Sequence, residues 1–140
     1  MRETNTRPLV VTLLIILFAI GSVASLVSVI TLTFPGSFLD AVWLVNPHAH
    51  DGFTRMGGWS VVLMSTVFVA CLLTAIGLSR GLAFGYWTAM VMLIGNLTGD
   101  AINVIAGNDR RAIVGIPIAL ILLLSLMRRK TREYFLNRTK

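Results

Sequence analysis

Apolar positions along the chain gather into four long blocks, at residues 9–34, 59–78, 82–106 and 112–127, and the charged positions fall between and after them. A bilayer core about 30 Å thick is crossed by roughly 20 apolar residues in a helix, so the pattern predicts an all-α, four-transmembrane-helix bundle. Helix punctuation agrees with the block edges. Pro8 suits a first helical turn, where its missing N–H is not needed, and Pro35-Gly36 ends the first run. Ser79-Arg80-Gly81 is a turn too tight for anything but antiparallel neighbours, and residues 107–111 form the next one. The fourth block is short, so it needs snorkelling by Arg111 and Arg128 or a thinned bilayer, and Pro117 within it frees a carbonyl and favours a kink.

The loop at residues 35–58 carries its own signals. Ser37 and Asp40 have capping-box-like spacing, and Phe38, Leu39, Val42 and Trp43 predict a short interfacial helix with Trp43 at headgroup depth. Asn46-Pro47 predicts a second helix start, with asparagine as cap and proline at the first helical position. In the first block Gly21, Ala24, Ser25 and Ser28 share a face that lets a neighbouring backbone approach. A rival reading of this block is a signal peptide cut near Ala24; the apolar run continues past that point, which favours an uncleaved helix.

Composition narrows the class. Of 140 residues 56% are hydrophobic and 13% charged, against about a quarter charged in a soluble domain. This points to a single integral membrane domain over residues 1–140. The net charge of +6 does not point to nucleic acid, because the cations flank the apolar blocks and no binding motif accompanies them. With four spans both termini share a side with Arg2, Arg7, Arg80, Arg128, Arg129, Lys130, Arg132, Arg138 and Lys140, leaving Arg55, Arg110 and Arg111 opposite. The positive-inside rule then sets both termini in the cytoplasm, N-in and C-in. In the tail at residues 128–140, Arg128, Arg129, Lys130 and Arg132 are candidates for anionic lipid headgroups, with Tyr134 and Phe135 resting at the interface. Cys71 is the lone cysteine and reads as a small core hydrophobe. The sequons at Asn96 and Asn137 are chance matches, one in a span and one in the cytoplasmic tail.

Polar chemistry concentrates in GNLTGDAIN, residues 95–103, within the third block. Asn96, Asp100 and Asn103 lie at i, i+4 and i+7, one polar stripe on a helix, and Gly95 and Gly99 add a GxxxG packing edge beside it. Such a stripe is expected to face protein or water. It reads either as an outward-facing substrate or ion site or as a clasp, with Asp100 pairing with Arg110, Arg111 or Arg55. A second constellation, His48, His50 and Asp51, is a weaker metal candidate, to which Asp100 would add a ligand; in a helix the two histidines diverge. No cofactor is expected.

The outer NPHAHDGF segment, the GLAFGYW start of the third span, GNLTGDAIN and the GIPI opening of the fourth together resemble small four-helix bacterial inner-membrane proteins of unknown function. The resemblance covers about residues 38–135 and implies a multi-pass inner-membrane location, with no activity attached. The leading functional expectation is a non-enzymatic packing or accessory module that self-associates as a homo-oligomer or binds a membrane protein partner. A small solute or ion transporter, and a metal-dependent membrane enzyme, are the alternatives.

Overall fold

A computed structural model describes residues 7–106 and 112–136. The elements, in order, are α1 (Leu9–Thr33), a 3-10 helix (Phe38–Leu44), α2 (Pro47–Met56), α3 (Gly58–Ser79), α4 (Ala83–Ile105), α5 (Ala112–Met127) and α6 (Arg129–Leu136). No strand occurs among the described residues. Three helices, α1, α3 and α4, are long and apolar enough to cross a membrane. The fourth block forms α5, whose 16 residues reach about 24 Å at 1.5 Å each, so by length alone it falls short of the other three. Pro117 lies inside α5 without ending it. The loop folds as two short helices, the second starting at Pro47 as Asn46-Pro47 predicts, and the first is a 3-10 helix.

The described chain divides into two compact units, one of residues 7–18, 73–106 and 112–136 and the other of Ala19–Leu72. In the first, α3 ends in a paired cap. The N–H of Leu82 donates to the Gly77 carbonyl at 2.9 Å and that of Gly81 to Leu78 at 3.1 Å, with Gly81 at φ +68°. This is the Schellman arrangement, which needs the left-handed backbone that glycine adopts most readily. Immediately beyond the turn the two backbones touch. A β-carbon on Gly85 would overlap the carbonyl carbon of Gly77 and the amide nitrogen of Leu78, and one on Gly77 would stand 2.6 Å from the Gly85 Cα.

Tyr86, Ala89 and Leu93 continue the buried stripe of α4 at helical spacing. On the N-terminal helix Val11, Leu14 and Phe18 form another, and a cut near Ala24 would remove all three from the core. Arg7 ties the start of α1 to the end of α3, its Nη2 donating to the Ser79 carbonyl at 2.7 Å. That cation satisfies a last-turn carbonyl and meets the negative end of the helix dipole.

Helix α5 packs on α4, and α6 folds back onto α4. Tyr134 and Phe135, expected at the interface, are instead core residues. Phe135 is fully buried, with its ring centroid 5.7 Å from that of Tyr86 near the start of α4. The reason is spacing: Thr131, Tyr134 and Phe135 sit at i, i+3 and i+4, giving this short helix one buried edge and one cationic face. Thr131 completes the latch, its hydroxyl donating to the Ser125 carbonyl in the last turn of α5 at 3.2 Å.

In the second unit Gly21 approaches Cys71, whose Sγ would lie 3.4 Å from an added β-carbon. Ser25 is buried, Ala24 is exposed, and the Ser28 hydroxyl donates to its own helix at Ala24. Such back-bonding recurs at Ser22, Thr33 and Thr66, so hydroxyls in apolar helices are satisfied without a partner helix. Asn46 caps α2 as its spacing predicted, Oδ1 accepting from the Ala49 N–H at 3.2 Å with Pro47 in the first turn. Ser37 precedes the 3-10 helix without capping it. Asp40 instead takes the Gly36 N–H at 2.5 Å.

Trp43 is fastened to protein: its indole N–H donates to Thr31 Oγ1 at 3.0 Å, while His50 stacks on the ring at 4.9 Å and Phe53 tilts against it at 5.9 Å.

Gly85→Ala is expected to destabilise the protein by about 1–3 kcal/mol, since backbone on the far side of the contact has nowhere to move. Gly52→Ala, at a helical site with nothing within 4 Å, is expected to be neutral or to stabilise by up to about 1 kcal/mol. Unfolding in graded denaturing detergent measures both. Equal effects would refute the close contact.

Candidate functional site

The α4 stripe is present but does not act as one surface. Asp100 turns towards α5 and is half-buried, whereas Asn96 and Asn103 are exposed. Opposite Asp100 stands Gly115, one turn into α5. A β-carbon there would overlap Asp100 Oδ2 and lie 3.0 Å from its Cγ. The missing side chain is thus a notch that admits the carboxylate. Two consequences follow from its position. The carboxylate lies by the N-terminal turn of α5, where the helix dipole attracts negative charge by about 0.3–1 kcal/mol in exposed cases. It also fixes the register of the pair, because only glycine at 115 leaves this space.

The arginine partners expected for Asp100 include Arg110 and Arg111, which lie outside the described residues. No hydrogen bond or ion pair joins Asp100 to another described residue. Within the first unit the clasp therefore rests on shape, a carboxylate seated against a glycine. The absence of a side chain at Gly115 was the signal in GIPI, and it was read there only as a helix opening.

Gly95 and Gly99 do not carry the α4–α5 contact. Nothing among the described residues comes within 4 Å of a β-carbon at either position. Together with Asn96 and Asn103 they form a face of small and amide side chains that the rest of the described chain leaves uncovered.

The histidine pair lies on α2, where residues two positions apart point in different directions, as a helix requires. His50 is engaged with Trp43, His48 and Asp51 are exposed, and no group of three metal-ligating residues occurs among the described residues. Arg128, Arg129, Lys130 and Arg132 are all exposed on or beside α6, and Arg129 Nε donates to Glu133 at 2.7 Å.

Comparison with known protein families, with curated proteins and with solved structures finds no match to this chain.

A double-mutant cycle tests the notch. Gly115→Ala is expected to cost about 1–2 kcal/mol alone, and distinctly less in an Asp100→Ala background, a coupling within the usual 0.5–3 kcal/mol for touching residues. Strictly additive effects in detergent unfolding would separate the two residues.

Proposed function

We propose that this chain is a non-enzymatic, four-span membrane module that assembles with a second copy of itself through α4. The observation that carries the reading is the uncovered face of Gly95, Asn96, Gly99 and Asn103 on an apolar helix of spanning length. Amides facing hydrocarbon are costly, whereas across a helix pair each asparagine contact contributes about 0.6–2 kcal/mol and the glycines let backbones approach.

The four-span reading is supported by the course of α5. It meets α4 at Asp100 near its start, and α6 directly after it meets α4 at Tyr86, so α5 runs antiparallel over the same depth. The exposed outer surfaces of these helices, among them Val91, Ile105, Val114 and Ile121, suit a lipid environment. Arg7, Arg80 and the α6 cations gather at one end, which by the positive-inside rule is the cytoplasmic one, of a bacterial inner membrane on the resemblance in layout.

A second reading, a small cation or solute site, is favoured by one feature. Asp100 keeps part of its surface open and has no partner among the described residues.

Native mass spectrometry from mild detergent tests both. The wild type is expected as a dimer, and Asn96→Leu with Asn103→Leu is expected to weaken it roughly 30-fold, from about 1 kcal/mol for each of two asparagine contacts across the pair. A wild type that stays monomeric on concentration, or a dimer indifferent to both changes, overturns self-association. A small bound mass lost in Asp100→Asn would establish the second reading.

A further inference from the structure

Helix α6 presents its cations from a fixed position. It begins two residues after the apolar α5 ends, and it is held at both ends, by the Thr131 hydroxyl on the Ser125 carbonyl and by Phe135 against Tyr86. A basic tail whose only role was to set orientation would need no such latch, since charge alone determines that. The latch has a geometric result. Tyr86 lies in the first turn of α4, directly after the α3–α4 corner that carries Arg80 and receives Arg7. Six exposed cations, Arg7, Arg80, Arg128, Arg129, Lys130 and Arg132, are thereby collected at one end of this unit. Among the described residues there, the one carboxylate is Glu133, and it is engaged with Arg129.

We propose that this latched helix and the α3–α4 corner form a binding surface for the phosphate-bearing headgroups of anionic lipids. The surface adjoins the ends of apolar helices, so its cations stand at the depth where a bilayer that those helices enter would carry its phosphates. Charge complementarity selects the occupant: guanidinium and ammonium groups in a cluster, with phosphate as the matching acceptor. Arg132 lies next to the buried Thr131, and Arg128 and Lys130 flank the start of α6, so folding fixes the backbone positions that carry these groups before any lipid arrives. Preorganisation of this kind raises selectivity as well as attraction.

The test uses the full chain in mild detergent with equal amounts of phosphatidylglycerol and phosphatidylcholine, counting retained lipids by native mass spectrometry. The expected result is a preference for phosphatidylglycerol of about tenfold or more, as a few surface cations at about 1 kcal/mol each supply. In the variant Arg128→Gln, Arg129→Gln, Lys130→Gln, Arg132→Gln, all at exposed sites, the preference is expected to fall at least severalfold. Phe135→Ala, which keeps every charge but frees the helix, is expected to lower it as well; should that variant misfold, Thr131→Val loosens the other end of the latch.

Equal retention of the two lipids by the wild type, or an unchanged preference in the glutamine variant, overturns the proposal. So does displacement of phosphatidylglycerol by glycerol phosphate at comparable concentration, which would mark a site for free phosphate, or by an acidic peptide, which would mark a protein-docking surface. A dimer that persists through all of these variants leaves the self-association reading untouched, so the two ideas fail separately.

Discussion

Where α3 turns into α4 there is no space for a single β-carbon on either backbone, and the direction of everything that follows depends on that contact. Gly77 and Gly85 touch main chain to main chain, while Gly81 supplies the left-handed residue that closes the turn. With the corner fixed, the buried stripe of Tyr86, Ala89 and Leu93 has a defined bearing. That bearing sets where α5 lies, and α5 delivers α6 back to Tyr86. Side-chain packing of ordinary aliphatic residues tolerates repacking at modest cost, but backbone in van der Waals contact does not. The first unit is therefore organised around an absence of side chains, and the same device recurs at Gly115, where the space is taken by the Asp100 carboxylate.

The second recurring solution concerns polar atoms on apolar helices. Threonine and serine hydroxyls return their protons to carbonyls three or four residues back, as at Thr66, Thr88 and Thr98, which leaves helix exteriors free of unmet donors. Thr31 goes further, accepting the Trp43 indole N–H while bonding to its own helix, and so ties the 3-10 helix to α1. By contrast, the amides of Asn96 and Asn103 are exposed. Their exposure on a helix otherwise able to sit in lipid is what sets α4 apart from its neighbours.

Local grammar was legible in the sequence and contact partners were not. Block edges, the Asn46 cap, Pro47 in the first turn and the corner at Ser79-Arg80-Gly81 depend on a few adjacent residues, and each is found where the residues placed it. Which glycines would be in contact was not legible. Gly95 and Gly99 have the recognised spacing yet meet nothing in the described chain, whereas Gly77 and Gly85 lie on different helices with no motif joining them. Spacing on one helix reports only that an approach is permitted; the partner surface decides whether it happens. The tail failed for a different reason. Its many charges masked a three-residue buried edge, so Tyr134 and Phe135 read as surface residues although their spacing with Thr131 is helical. The Asp100 site was half legible: the carboxylate stood out, but its seat is a hydrogen atom on Gly115, and no residue type advertises an empty space.

The bond from Arg7 to the Ser79 carbonyl spans 72 positions in the chain. At a synthesis rate of roughly 5–20 residues per second, the start of α1 is made several seconds before its acceptor exists. The contacts of α4 with α5 and α6, such as Asp100 with Gly115 and Tyr86 with Phe135, close over shorter stretches of chain. Completion of the first unit is therefore gated by its later-made parts: Arg7, Val11 and Leu14 must wait for the end of α3 and the helices after it to come to them.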